Sequence, residues 1–166
     1  IYGDRNGYRY GSGRLNARYG WLAATNNDGQ FMQIDLRKVK TVSGVVIQGR
    51  QDWYEWVTAF AVQVSEDGDT WTFVQCGNWF EGSKNRHTRV KTMFDEPVKA
   101  RYVKIMPKRW RGRIAMRAGV LLCEIPCKDG ELDYPLANEL ASDTDGPSLE
   151  TVWGDGQFVS TSKESG

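Results

Sequence analysis

A catalytic site would need a base, a nucleophile and an orienting group, and the sequence offers a single histidine as the base. His87 lies in a cationic stretch, residues 83–89, beside Lys84, Arg86 and Arg89. No nucleophile elbow, phosphate-binding loop or zinc-protease motif occurs in the 166 residues. The better interpretation of His87 is an exposed loop histidine. The sequence therefore predicts that the chain is not an enzyme.

The cysteines do not have the spacing of a metal site. Cys123 and Cys127 are separated by three residues, Cys76 lies far upstream, and His87 is the single histidine. Structural zinc sites combine four cysteine or histidine ligands, usually as closely spaced pairs. We therefore predict no metal and no cofactor, although a structural calcium ion stays compatible with the sequence.

Most carboxylates fall in stretches typical of solvated turns, such as residues 66–69. Asp35 differs because it lies inside a strand-like stretch, where a buried carboxylate without a partner would cost free energy. Arg101 and Arg117, which also lie in strand-like stretches, could supply that partner. We expect a structural ion pair at Asp35 rather than a catalytic acid.

A more informative pattern is the set of aromatic and basic residues in loop-like stretches. These stretches are the glycine-rich opening, residues 50–56 and residues 78–89. The candidate ligand-binding residues are Tyr8, Arg9, Tyr10, Trp53, Tyr54, Trp79, Arg86 and Arg89. Large rings grouped at one end of a domain could stack on sugars, enter a membrane interface or anchor a protein. The alternative is that Trp53 or Trp56 is a core residue at the start of a strand.

Charge is unevenly distributed along the chain. Residues 1–127 carry 20 basic and 12 acidic side chains, a net charge of +8, and residues 128–166 carry 2 basic and 9 acidic, a net charge of −7. The overall charge of +1 hides this division. Because the basic residues are scattered and no nucleic-acid-binding signature occurs, we do not expect nucleic acid as a partner. No apolar run approaches the length of a transmembrane segment.

Short strands must position the candidate loops. Stretches of about five to nine residues are rich in Val, Ile, Thr and aromatic residues, and several alternate apolar with polar. They are residues 31–36, 42–48, 60–65, 70–74, 101–106 and 114–122. Turn signals occur at residues 66–69 and 95–97, and no ten-residue stretch holds a helical stripe. This pattern predicts an all-β sandwich or barrel.

Short blocks of sequence follow one another along the chain in the order typical of a discoidin domain, and the chain therefore resembles this domain, the C-type domain of coagulation factors V and VIII. The matching blocks cover nearly all of residues 1–123. They include residues 12–17, 20–23, 30–36, 45–50, 56–60, 62–71, 80–83, 97–107, 113–117 and 121–123. The resemblance implies an antiparallel jelly-roll β-sandwich of the galactose-binding-domain type, with eight strands and with loops at one end that recognise a ligand.

The resemblance also implies a function and a location. Discoidin domains bind anionic phospholipids, glycans, collagen or cell-surface proteins, so we expect a non-catalytic recognition and adhesion module, extracellular or at the cell surface. The three candidate loops match the family's ligand loops as loops and not residue by residue, so the ligand identity does not transfer. Two alternatives are an ancillary carbohydrate-binding module of a secreted enzyme and a structural domain in an extracellular assembly.

We divide the chain into a discoidin-like domain at residues 1–127, an acidic linker at 128–147 and the start of a second β-domain at 148–166. The family usually joins an opening cysteine to the closing one, and we expect that first cysteine and its strand to be missing. The resemblance thus makes Cys123 and Cys127 the disulfide candidates. Residues 133–160 resemble the opening of a concanavalin-like or laminin G-like domain, so neighbouring domains of the same polypeptide are also expected partners.

Overall fold

The computed structural model describes residues 13–123 and the backbone of residues 151–152. The strands are β1 (Trp21–Leu22), β2 (Met32–Gln48), β3 (Trp56–Ser65), β4 (Thr72–Phe73), β5 (Phe80–Glu81), β6 (Val90–Arg111), β7 (Ala115–Leu122) and β8 (Thr151–Val152). A 3-10 turn at Val74–Gly77 follows β4, and this part of the chain contains no α-helix. The predicted all-β fold is confirmed. The described residues form no helix that is long and apolar enough to cross a membrane.

All strand pairs are antiparallel, in the order β1-β7-β2-β6-β3-β4, with β5 on β3 and β8 on β7. The turn predicted at residues 95–97 is wrong, because these residues lie inside β6. There the ladder with β2 moves from Val42 opposite Val98 to Gly44 opposite Met93. Proline has no N–H to donate, so Pro97 fits an interrupted ladder that bulges without reversing the chain.

The core is formed by alternate residues of the long strands. In the first part of β2, Met32, Ile34 and Leu36 are buried, whereas Gln33 and Asp35 between them are half-buried. The same alternation predicted the strand from the sequence. The largest fully buried apolar side chains are Trp21, Phe60, Leu22, Met32, Ile47, Ile105, Ile114, Met116 and Leu122.

The turn predicted at residues 66–69 is confirmed and connects β3 to β4. Gly68 has φ +94°, a conformation that glycine adopts without strain. Asp67 Oδ1 accepts hydrogen bonds from Ser65 Oγ at 2.9 Å and from the amides of Asp69 and Thr70 at 2.8 Å. These bonds favour the ionised carboxylate and hold the pKa of Asp67 well below its usual range.

The ion pair predicted for Asp35 is also confirmed, with Arg101 as the partner. Arg101 Nε donates to Asp35 Oδ1 at 3.0 Å, and Nη2 donates to Oδ2 at 3.2 Å. These hydrogen bonds from the guanidinium lower the pKa of Asp35. The pair lies where β2 and β6 lose register between Asp35 and Lys40, so it holds the two strands together at an irregular point.

The acidic end of the chain contributes β8 to the described residues. Thr151 and Val152 pair with Leu121 and Val120 of β7. The proposed linker, residues 128–147, lies outside the part of the chain that the structure describes, and so does the rest of the predicted second domain. The division into domains stays a prediction.

Candidate functional site

Three loops meet at one end of the sheet, and we call them together the loop end: residues 14–20, 49–55 and 82–89. They meet because β2 ends opposite the first residues of β6 and β7, at the pairs Ile47–Val90 and Gln48–Arg117, and because Trp56 at the start of β3 lies next to Gly49. The backbones approach closely at Gly49, where an added Cβ would lie 2.6 Å from the Asn85 carbonyl oxygen and 2.9 Å from Trp56 Cβ. A side chain at Gly49 would therefore force the loops apart.

Arg117 of β7 fastens the three loops from the inside of the domain. Its side chain is buried, with only 1% of the residue exposed. The guanidinium donates to the carbonyl oxygens of Gly49 at 2.7 Å, Ala17 at 3.0 Å and Arg86 at 2.6 Å. These carbonyls come one from each loop. Three backbone dipoles thus solvate the buried cation, and burial lowers the pKa of Arg117.

Gln48, the last residue of β2, makes a second buried bridge between loops. Its Oε1 accepts a hydrogen bond from the backbone amide of Asn16 at 2.9 Å. Its Nε2 donates to the carbonyl oxygen of His87 at 2.7 Å. With Arg117, this amide fixes the first and third loops relative to the end of β2.

An ion network closes the base of the loop that connects β2 to β3. Arg50 Nε lies 2.7 Å from Asp52 Oδ1, and Arg50 Nη1 lies 2.7 Å from Glu55 Oε2. The Arg50 amide also donates to the Glu55 carbonyl at 3.0 Å. The two carboxylates raise the pKa of Arg50, and the guanidinium lowers that of Asp52. The chain between these anchors protrudes as a short tip.

The tip carries two of the predicted ligand-binding residues. Trp53 and Tyr54 are 61% and 62% exposed. Arg86 from the neighbouring loop places its Cζ 4.2 Å from the centre of the Tyr54 ring, so the structure brings these two predicted residues together in a cation–π contact. Trp53 is not a core residue, whereas Trp56 is one, with 6% exposed.

The other candidate residues occupy separate positions. Arg89 is exposed in the same loop as Arg86. Trp79 is 55% exposed just before β5, where Arg109 Cζ lies 5.4 Å from its ring, and the contacts of the described residues do not join it to Tyr54. Three further candidates lie outside the described residues, namely Tyr8, Arg9 and Tyr10.

The groups that could support catalysis or bind metal are dispersed. His87 is exposed, and its Nδ1 lies 3.3 Å from Gln51 Oε1, an amide that is neither an acid nor a nucleophile. Within residues 13–123, no three His, Cys, Asp or Glu side chains lie close enough together to hold a metal ion. Cys76 is exposed and Cys123 is half-buried, and both thiols are free. Cys127 lies outside the described residues, so the disulfide stays a prediction.

Sequence reasoning found the exposed tip but missed the residues that hold it. It considered Arg117 only as a partner for Asp35, and it gave no role to Gln48 or Arg50. One signal was present for Arg117, since an arginine among apolar residues of a strand must be solvated by fixed polar groups when buried. The carbonyls that solvate it come from three distant loops, which the sequence alone does not bring together.

The chain is similar in sequence to several known proteins. It matches the F5/8 type C domain family over residues 4–120. It is 38% identical to retinoschisin of Takifugu rubripes over 112 residues, covering 64% of this chain and 40% of that protein. It is 35% identical to human retinoschisin over 122 residues, covering 69% and 54%. Lactadherin of Bos taurus is 35% identical over 118 residues, covering 67% and 27%. The chain thus spans about half or less of the length of these relatives.

Solved structures show the same architecture. Two structures of discoidin II from Dictyostelium discoideum superpose with TM-scores of 0.58 and 0.60, at 27% and 25% sequence identity. They cover 61% and 64% of this chain and 40% and 42% of the discoidin chains. The antiparallel jelly-roll fold expected from the sequence is that of these neighbours. The family match over most of the chain and the shared fold agree, and the chain belongs to the F5/8 type C, or discoidin, domain family.

Proposed function

We propose that the chain is a non-catalytic extracellular recognition and adhesion module that binds a cell-surface or matrix ligand through its loop end. The observation that carries the proposal is the tip formed by Trp53 and Tyr54. Two large aromatic side chains are exposed side by side, although both could bury substantial apolar area. Exposed aromatic groups on an otherwise polar surface are typical of interaction sites.

The tip is built as a rigid feature. Arg50 is buried and bound to both Asp52 and Glu55, so the backbone that carries the two rings is fixed at both ends. A loop whose backbone is fixed before binding loses less conformational entropy when a ligand arrives. This preorganisation supports recognition over a passive surface role.

The charges around the tip favour a ligand with both apolar and anionic or polar parts. Arg86 contacts Tyr54, and Lys84 and Arg89 are exposed in the same loop. This combination fits the headgroup region of an anionic phospholipid membrane, a glycan or a protein surface, the ligand classes that the family resemblance implies. We further propose neighbouring domains of the same polypeptide as partners.

The proposal is tested by screening the 166-residue chain against a glycan array and against liposomes with and without anionic phospholipid. Each screen is run at about 0.1 M and about 1 M salt, where the Debye length falls from about 10 Å to about 3 Å. We expect saturable binding in at least one screen, and a phospholipid interaction should weaken strongly at the higher salt concentration. Absence of saturable binding in both screens would contradict a glycan or phospholipid ligand.

A further inference from the structure

A groove lies beside the loop end, on the side of the sheet where β5 pairs with β3. We call it the side groove, and its lining residues are Trp56, Thr58, Glu81, Gly82, Ser83, Lys84 and Arg111. Its volume is about 410 Å³, within the range typical of sites for small ligands. Neither Trp53 nor Tyr54 contributes to its lining, so the side groove is distinct from the aromatic tip.

Two cations face the side groove with little to neutralise them. Arg111 is exposed, and its Cζ lies 4.9 Å from the centre of the Trp56 ring; within residues 13–123 no carboxylate forms a salt bridge with it. Lys84 Nζ lies 3.4 Å from Glu81 Oε2, but both side chains are more than four-fifths exposed. An ion pair so exposed contributes little because water screens it, so a ligand anion can replace Glu81 as the partner of Lys84.

The wall of the side groove also holds an unpaired hydroxyl. Ser83 is buried, and its Oγ has no hydrogen-bond partner among the described residues. The Ser83 backbone is fixed, because its amide donates to the Val57 carbonyl at 2.8 Å. A buried hydroxyl without a partner costs free energy that a hydrogen-bonding ligand can recover. Thr58 adds a second, exposed hydroxyl to the same lining.

An exposed aromatic ring precedes β5, the strand whose last residue lines the side groove. Trp79 immediately precedes β5 and is two residues from Glu81, which lines the side groove, and residues two apart in extended backbone project to the same side. Arg109, which pairs with Ala59 of β3, approaches the Trp79 ring to 5.4 Å. The strip from Arg111 to Trp79 therefore combines cations, hydroxyls and an indole.

From this arrangement we infer that the side groove is a second binding site, separate from the aromatic tip of Trp53 and Tyr54, for an acidic saccharide that carries sulfate or carboxylate groups. Lys84 and Arg111 bind the anionic group, the hydroxyls of Thr58 and Ser83 bind the sugar hydroxyls, and Trp79 stacks on an adjacent sugar ring. Charged hydrogen bonds supply most of the affinity, and the ring and hydroxyls select a sugar over a free anion. Glu81 opposes binding and sets the affinity.

The test is calorimetric titration of the 166-residue chain with three tetrasaccharides of matched backbone: sulfated, carboxylated and neutral. Lys84→Gln combined with Arg111→Gln should weaken binding of the acidic sugars at least about tenfold. The matched control is Lys38→Gln combined with Lys99→Gln, which removes the same charge from exposed positions away from the side groove; it should change affinity less than about twofold. Glu81→Gln should strengthen binding, because it removes the competing carboxylate.

The inference is overturned if both double variants weaken binding equally, since that result means a general charge effect. It is also overturned if the neutral tetrasaccharide binds as tightly as the acidic ones, or if Glu81→Gln leaves the affinity unchanged. Trp53→Ala should not affect tetrasaccharide binding, and Arg111→Gln alone, which lies outside the three loops, should not affect attachment through the aromatic tip. The two sites can thus fail independently, and melting curves check that each variant is folded.

Discussion

Replacement of Arg117 by methionine tests whether one buried cation holds the loop end together. Methionine matches the aliphatic stem of arginine and keeps the site filled, but it donates no hydrogen bonds. The carbonyl oxygens of Gly49, Ala17 and Arg86 would each lose their bond to the guanidinium. Of the two side chains that bridge the loops, only Gln48 would then remain, and it holds the first and third loops alone.

The expected loss follows from the three bonds. A hydrogen bond contributes about 1 kcal/mol net, and more when one partner is charged, but methionine also removes the cost of burying a cation. We therefore expect the free energy of unfolding to fall by about 3 kcal/mol. Arg117→Lys should lose at least as much, because lysine keeps the buried charge and lacks the planar fork that reaches three carbonyls.

Urea denaturation of both variants measures the free energy of unfolding, and hydrogen exchange locates the change. Exchange should accelerate in residues 14–20, 49–55 and 82–89, while the distant turn at residues 66–69 stays protected. A loss below about 0.5 kcal/mol for Arg117→Met would refute the reasoning. So would full retention of stability by Arg117→Lys, since that result would mean that the charge matters and the hydrogen-bond geometry does not.

Two further predictions concern the same scaffold. Gly49→Ala should lower the free energy of unfolding by about 1–3 kcal/mol, because its Cβ would overlap the Asn85 carbonyl oxygen. Gly20→Ala should cost less in the same urea titration, because its Cβ would come no closer than 3.3 Å to its neighbours. Equal losses for the two variants would contradict the overlap. Asp35→Asn should cost about 0.5–1 kcal/mol at pH 7, because it removes the partly exposed pair with Arg101. The pKa of Asp35 is lowered from 3.8 in the folded state, so its stabilisation is present above that value and is lost as the pH falls below it. The difference between wild type and variant should therefore shrink when unfolding is measured at decreasing pH, and a constant difference would show that the carboxylate charge is not responsible.

The strands were predictable because burial imposes a local pattern. Met32, Ile34 and Leu36 alternate with polar residues in the sequence and alternate in burial in the structure. The turn at Asp67 and Gly68 was predictable for a similar local reason, since its geometry requires those residue types. The bulge at Pro97 was not, because the same residues favour a chain reversal or an interrupted strand, and only pairing with β2 decides between them.

The candidate site was predictable in part. The exposed positions of Trp53 and Tyr54 follow from large rings in a loop-like stretch, and the burial of Trp56 could only be offered as an alternative. The scaffold beneath the tip depends on contacts between residues far apart in sequence, such as Arg117 with Ala17. Such contacts are fixed by the topology of the whole sheet, and no local pattern encodes them.

The central claim, that the aromatic tip is the ligand-binding surface, is tested most directly by Trp53→Ala combined with Arg86→Ala. Both side chains lie at the loop end, and the Arg86 carbonyl that Arg117 binds is unaffected by the substitution. The matched control is Phe73→Ala combined with Lys99→Ala, an exposed ring and cation elsewhere on the domain. Attachment is measured on the glycans or liposomes that the wild-type chain binds, and the melting temperature is measured on the same preparation.

The account predicts that the Trp53 and Arg86 variant loses at least about tenfold in attachment. Its melting temperature should stay close to that of wild type, since Trp53 is mostly exposed and the contact of half-buried Arg86 with the exposed Tyr54 ring contributes little to folding, and the control should bind normally. A variant that unfolds early while its binding per folded molecule is unchanged would contradict the account, because the two residues would then support the fold and not the ligand.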